Sequence, residues 1–134
     1  MPRLHHVTLV VRNLEQRKEE FEKLLGIAPT MEALPARGVL TARFELDGLY
    51  LILVQPVRED SVPGERLASH GEGVFMLSLA TPSLEQSDAE LKDRGMMLAW
   101  DTLRTGLDGW RVADVKHDDE LPLVIQFAQT DDHS

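Results

Sequence analysis

The sequence has no cysteine among its 134 residues. Disulfide bonds, thiolate metal sites and cysteine nucleophiles are therefore excluded, and a metal would need His, Asp, Glu or Gln side chains. Long apolar runs are also missing, because stretches such as 49–54 have strand length, short of the about 20 residues that span a bilayer. The first residues lack the apolar segment of a secretory signal, so we expect a cytoplasmic protein with no membrane partner.

Positive charge is scarce and scattered along the chain. The 14 Lys and Arg residues are outnumbered by 23 Asp and Glu residues, which gives a formal net charge of −9. Such a balance repels a phosphate backbone, so nucleic acid is not an expected partner. The sequence also lacks a nucleophile elbow, a phosphate-binding loop and a dinucleotide-binding fingerprint. Nucleotide chemistry and serine-nucleophile chemistry therefore have no support.

An internal repeat organises the chain. The strand-like segment 4–9 recurs as 74–79, an offset of 74 − 4 = 70 residues. At the same offset, 13–16 recurs as 83–86 with an identical Leu-Glu-Gln triplet. Each copy of the triplet follows Asn or Ser, which is the pattern of a helix capping box. The repeat therefore indicates a duplicated unit in which a strand is followed by a capped helix.

The remaining patterns complete each copy with three further strands. Apolar periodicity predicts helices from 14 to 25 and from 84 to 94, ended by Gly26 and Gly95. The predicted strands that follow them are 30–34, 39–46 and 49–55 in the first copy and 97–101, 110–116 and 122–129 in the second. We expect an α+β fold with two tandem βαβββ modules forming a cupped mixed sheet, helices on its outer face.

This organisation predicts one domain over residues 1–134. Module one covers 4–56, a linker rich in proline, glycine and charge covers 57–73, and module two covers 74–129. The polar tail, residues 130–134, is expected to fray.

The order of these landmarks resembles a known family. A first strand with His6 is followed by Leu25-Gly26, Gly38-Val39, Asp47-Gly48 and Gly71-Glu72-Gly73. This order is similar to that of the vicinal oxygen chelate superfamily, which includes glyoxalase I, bleomycin-resistance proteins, extradiol dioxygenases and methylmalonyl-CoA epimerase. The resemblance covers residues 4–129 and is nearest the epimerase-like branch.

The resemblance implies four metal-ligand positions, two in each module. They fall on His6, Ile52, Met76 and Gln126. The alkyl chain of Ile52 cannot bind a metal, and the soft thioether of Met76 suits Cu(I) better than a harder divalent ion. Gln126 could coordinate through its carbonyl oxygen but cannot act as a base. We therefore expect neither a metal ion nor another cofactor.

The catalytic base that the resemblance implies for an epimerase falls on Thr41. A hydroxyl there and an amide at Gln126 cannot take a proton from carbon at neutral pH, so no catalytic residue is assigned. Apolar groups with a few polar ones are instead typical of a small-molecule pocket. The predicted ligand-binding residues are His6, Thr41, Ile52, Met76, Trp110 and Gln126.

Two functions remain open from the sequence. One is a small-molecule-binding protein of the glyoxalase and bleomycin-resistance type, with a degenerate metal site, that sequesters or senses an apolar-to-cationic ligand. The other is a metal-dependent lyase, isomerase or dioxygenase of the glyoxalase or methylmalonyl-CoA epimerase type, with a rearranged site that includes His6 and Gln126. The resemblance also implies a homodimer. Whether modules pair within or between chains, and which molecule is bound, are left open.

Overall fold

The computed structural model describes residues 2–118 and 120–130. The last four residues of the predicted frayed tail lie outside this description. The strands are β1 (Arg3–Val10), β2 (Thr30–Leu34), β3 (Val39–Leu46), β4 (Leu49–Pro56), β5 (Gly73–Thr81), β6 (Leu98–Thr105), β7 (Arg111–Val115) and β8 (Val124–Gln129). The helices are α1 (Leu14–Leu25), α2 (Val62–His70) and α3 (Leu84–Asp93). The predicted α+β fold of two βαβββ modules is confirmed.

The chain divides into two compact units. His6–Phe75 form the first unit, and residues 2–5 with the described residues from 76 onward form the second. The strand order is β2-β3-β4-β1 in the first module and β5-β8-β7-β6 in the second. In each, the first strand runs parallel to the last, and the other pairs are antiparallel. The two copies of the repeat therefore fold with the same topology.

Each module packs its main helix on one face of its own strands. Leu14 of α1 clusters with Ala42, Phe44 and Leu53 of β3 and β4. In the second module the corresponding cluster consists of Leu84, Leu91, Leu98, Ala113 and Val115. Because side chains alternate across a strand, the residues between these positions face away from the helix. Those opposite faces carry the predicted site residues except Trp110, which directly precedes β7.

Helix caps appear where the repeat predicts them. The side chains of Asn13 and Ser83 accept hydrogen bonds from the third helical N–H group, at 3.0 and 3.1 Å. Gly26 ends α1 with a left-handed backbone, φ +72°. Arg94 caps α3, and Gly95 follows it with φ +85°. The sequence signals for helix start and stop are therefore read correctly in both copies.

A second repeated contact ties each helix to the last strand of its module. The side-chain carbonyl of Gln55 accepts from the backbone N–H of Leu14 at 2.7 Å. That of Gln129 accepts from the N–H of Leu84 at 2.9 Å. Each bond satisfies a helix-terminal N–H group that has no partner within its helix. The duplication therefore extends to tertiary contacts that the sequence comparison does not reveal.

The segment predicted as a linker contains a helix. Ser61 caps α2 by accepting from the N–H of Gly64 at 3.0 Å, and Pro63 lies in the first turn. Proline is favoured in a first turn because the N–H that it lacks would have no helical partner there. A side chain at position 64 would lie 2.4 Å from the carbonyl oxygen of Arg58, so the tight entry requires glycine. None of the helices among the described residues is long and apolar enough to cross a membrane.

Candidate functional site

In the first unit, the predicted site residues share one sheet face. Strand pairing places Thr8 of β1 opposite Ile52 of β4, and Ile52 opposite Arg43 of β3. His6 precedes Thr8 by two positions and Thr41 precedes Arg43 by two, so both lie on the same side. The alternate residues pack against α1. We call this side, which comprises His6, Thr8, Thr41, Arg43, Tyr50 and Ile52, the α1-distal face.

The second unit has an equivalent face. Pairing places Ser78 of β5 opposite Gln126 of β8, and Gln126 opposite Asp114 of β7. Met76 precedes Ser78 by two positions and shares its side of the strand. The alternate residues, including Ala113 and Val115, cluster with α3. We call the side with Met76, Ser78, Val112, Asp114, Gln126 and Ala128 the α3-distal face.

The repeat relates a row of three residues on one face to a row on the other. The first row is Thr8, Ile52 and Arg43; the second is Ser78, Gln126 and Asp114. Thr8 and Ser78 are 70 residues apart, as the repeat requires. The middle position is apolar in one module and an amide in the other. The third position carries opposite charges.

Most predicted site residues are deeply buried. The exposed fraction is 4% for His6, 3% for Thr41, 2% for Ile52, 7% for Met76 and 2% for Gln126. A molecule that touches these side chains must therefore lie in the protein interior, where apolar contact contributes most and unpaired polar groups cost most.

Two predicted site residues are already engaged in contacts. The hydroxyl of Thr41 donates to the backbone carbonyl of Glu32 at 2.7 Å, which leaves only its lone pairs for a ligand. The ring of Trp110 packs edge-on against His5, with ring centroids 4.4 Å apart. Trp110 therefore has a structural contact in the second unit in addition to any role in binding.

Arg43 is a residue of the α1-distal face that sequence reasoning missed. Its guanidinium lies over the ring of Tyr50, 5.4 Å from the centroid, as in a cation–π contact. Its position beside Ile52 brings a permanent positive charge to the α1-distal face. The signal was available, because Arg43 lies two residues after Thr41 in a predicted strand and must share its face.

Asp114 and Arg104 form a second unpredicted feature, on the α3-distal side. Arg104 donates to the Asp114 carboxylate at 3.1 Å and to the backbone carbonyl of Thr102 at 2.7 Å. The backbone N–H of Asp114 donates to the hydroxyl of Thr102 at 2.8 Å. These bonds hold an irregularity in the pairing of β6 with β7. β6, which was predicted over 97–101, runs from Leu98 to Thr105, and the bond from Arg104 holds the Asp114 carboxylate.

Ser78 has a buried hydroxyl that makes no hydrogen bond within the described residues. Its side chain is wholly buried. Removing a hydroxyl from water without a new partner costs about 1–3 kcal/mol. Sequence reasoning overlooked Ser78, although it lies two residues after Met76.

The residues present do not fit the divalent metal that the resemblance implies. Of the implied ligand positions, Ile52 in the first unit has no donor atom, and Met76 in the second offers only a thioether. Among residues 2–118 and 120–130, no group of three or more His, Asp or Glu side chains could hold a metal ion.

The Gly71-Glu72-Gly73 motif has a structural role. Glu72 accepts from the guanidinium of Arg17 at 2.7 Å and from the backbone N–H of Arg12 at 2.9 Å. The Arg17 hydrogen bond, helped by that of Arg12, lowers the pKa of Glu72 to about 2. The motif thus anchors the end of the inter-module segment to the start of α1.

Trp100 packs against the core of the second unit. It packs against the α3 cluster and donates its indole N–H to Asp88 at 2.9 Å. The backbone N–H of Leu98 donates to the same carboxylate at 2.8 Å. These bonds, that of Leu98 foremost, lower the pKa of Asp88.

Comparisons with known proteins agree with this architecture. The sequence profile of the glyoxalase/bleomycin resistance protein/dioxygenase superfamily matches residues 5–113. The uncharacterized protein YqjC of Bacillus subtilis (strain 168) is 23% identical over 130 residues, covering 96% of this chain and 93% of that protein.

Solved structures resemble the whole chain. A variant of Streptomyces coelicolor methylmalonyl-CoA epimerase, in complex with 2-nitronate-propionyl-CoA, superposes with a TM-score of 0.84 at 26% identity, covering 97% of this chain and 98% of the other. A hypothetical protein from Bacillus halodurans C-125 superposes with a TM-score of 0.87 at 22% identity, covering 99% and 97%. The second likeness concerns the fold alone.

Proposed function

Because the chain belongs to the glyoxalase/bleomycin resistance protein/dioxygenase superfamily, we propose that it binds a small molecule without a metal ion and sequesters or senses it. The observation that carries the proposal is the chemistry at the implied ligand positions. Ile52 and Met76 are buried there and offer no hard donor atom. The α1-distal face is therefore suited to contact an organic molecule directly.

The α1-distal face combines an apolar centre with a charged edge. Burying about 100 Å² of apolar ligand surface on a residue such as Ile52 contributes roughly 2.5 kcal/mol. Arg43 offers charge-assisted hydrogen bonds, which favour carboxylate or phosphate oxygens. The ligand expected for this face is therefore a small, partly apolar acid, in place of the cationic molecule that net charge alone suggested. His6 supplies a further polar group on this face. Met76, Gln126 and Trp110 of the second unit stay predicted ligand-binding residues.

A screen of small carboxylic acids tests this proposal. Protein stripped with a chelator should gain thermal stability with branched or aromatic acids, and added Co²⁺ or Zn²⁺ should not increase the gain. Arg43→Gln should weaken the best hit at least tenfold, because charge-assisted hydrogen bonds are worth about 1.5–3 kcal/mol. Lys23→Gln, which removes an equal charge from an exposed site on α1, is the matched control. Hits that bind only with metal, or equally well to both variants, contradict the proposal.

The enzyme alternative is favoured by one observation, the 26% identity to a methylmalonyl-CoA epimerase along nearly the whole chain. An epimerase exchanges the proton beside the carbonyl, so incubation with methylmalonyl-CoA in heavy water measures it directly. We expect no exchange above the background rate, with or without Co²⁺, because position 41 carries threonine where the resemblance implies a base. Catalysed exchange would favour the enzyme. The binding proposal also includes a homodimer and a cytoplasmic location.

A further inference from the structure

We propose that the second unit carries a subsite for a neutral amide group, formed by Ser78, Gln126 and Asp114 on the α3-distal face. It rests on the proposed function in that the chain binds a small molecule. All three residues belong to one unit, and their order follows from the pairing of β5, β8 and β7.

The three side chains form a polar row across neighbouring strands. Adjacent strands lie about 4.8 Å apart, so the positions of Ser78 and Asp114 are about 10 Å apart with Gln126 between them. The row is bordered by buried apolar side chains at Met76, Val112 and Ala128. Such surroundings strengthen each hydrogen bond and penalise any polar group left unpaired.

Ser78 supplies the observation that points to a ligand. Its hydroxyl is wholly buried and makes no hydrogen bond within the described residues. Thr81 lies on the same strand but on the other face, and its hydroxyl bonds to Ser83 and contacts that of Ser87 at 2.7 Å. A buried hydroxyl without a partner lowers the free energy of unfolding, so alanine at position 78 would make the fold more stable. Groups that cost stability in this way are concentrated at functional sites.

Asp114 and Gln126 determine which charge the bound group of the ligand can carry. Asp114 is balanced by Arg104, so the row does not call for a cation, and a second carboxylate would be repelled. The Asp114 oxygens can still accept an N–H, while the Ser78 hydroxyl and the Gln126 amide can donate to a carbonyl. The complementary group on the ligand has a carbonyl acceptor next to an N–H donor and carries no net charge. An amide meets both requirements.

Exposure increases along the row and indicates the entry direction. Ser78 is 0% and Gln126 2% exposed, whereas the side chain of Asp114 is 24% exposed. An amide would therefore approach from the Asp114 end of the row.

Three small molecules of nearly equal shape test the subsite. Propionamide, propionate and propylammonium are titrated into isotope-labelled protein, and the backbone resonances of residues 78, 114 and 126 are followed. We expect saturable shifts with propionamide only. Ser78→Ala should weaken that binding about fivefold, as for the loss of one hydrogen bond, while its melting temperature stays equal or rises. The control Thr81→Val should melt lower yet bind propionamide as the parent does.

Several results would overturn the subsite. They are an absence of shifts with propionamide up to its solubility limit, equal shifts with either charged molecule, and undiminished binding by Ser78→Ala. A lower melting temperature for Ser78→Ala would also refute it, because the hydroxyl would then have a partner in the folded protein. Arg43→Gln separates this test from that of the proposed function, since it should leave propionamide binding unchanged while weakening the carboxylic acid.

Discussion

Replacing Glu72 with glutamine removes a carboxylate that joins the inter-module segment to α1. One oxygen of Glu72 accepts from the backbone N–H of Arg12 and from the Nε–H of Arg17, and the other accepts from a terminal N–H of Arg17. Glutamine keeps an oxygen for the backbone N–H but loses the ion pair. The change therefore removes the ion pair together with one hydrogen bond from Arg17, and it leaves an acceptor for the backbone N–H of Arg12.

The pKa of Glu72 sets the magnitude of this effect. A fall from 4.5 to about 2 corresponds to an upper bound of roughly 3 kcal/mol in the free energy of unfolding. The Glu72 side chain is 25% exposed, so solvent screening reduces the expected loss to about 1–2 kcal/mol at neutral pH. Because the folded pKa lies below the unfolded value, the contribution is present above pH 4.5 and is lost as the pH falls toward about 2.

Urea unfolding at neutral pH and at about pH 3 measures both the loss and its pH dependence. The difference between parent and Glu72→Gln should shrink at the lower pH. Glu20→Gln is the control, because Glu20 pairs with the same Arg17 but is 56% exposed. It should cost less than about 0.5 kcal/mol. An equal loss at both pH values, or an equal loss in the control, would refute the reasoning.

Three further predictions concern the fold and assembly. Asp88→Asn should lower the melting temperature, because one amide oxygen cannot replace the two that accept from Leu98 and Trp100; a value equal to the parent's in calorimetry would contradict this. Gln55→Ala and Gln129→Ala should each cost about 1 kcal/mol in urea unfolding, and a large difference between them would argue against equivalent roles in the two modules. Light scattering should give the mass of a homodimer at micromolar concentration, and a monomer there would contradict that prediction.

Helix caps, stop glycines and strand patterns predicted most of the fold, because they occur at the element boundaries in both copies of the repeat. β2 and β3 have the predicted limits, and α1 begins and ends where its cap and glycine indicate. α2 was missed because Pro63 and Gly64 read as breakers. In the structure they are start signals: proline fits the first turn, and glycine allows the close approach to Arg58.

The candidate site was predicted only in part. Family resemblance led to His6, Ile52, Met76 and Gln126, and the strand register places them on the helix-distal faces of their own units. Their role in binding stays a prediction. Asp114 depends on knowing which strands pair, and Ser78 on knowing that a buried hydroxyl lacks a partner. Such properties arise from tertiary contacts, which a single sequence does not contain.

The metal content of the purified protein tests whether this chain binds its ligand without a metal ion. Protein prepared without chelators, incubated with Zn²⁺, Co²⁺ or Ni²⁺ and then freed of unbound metal, is measured by elemental analysis. We expect far less than one equivalent per chain, because Ile52 and Met76 hold no hard donor at two of the implied ligand positions. One tightly held equivalent of any of these ions would contradict it.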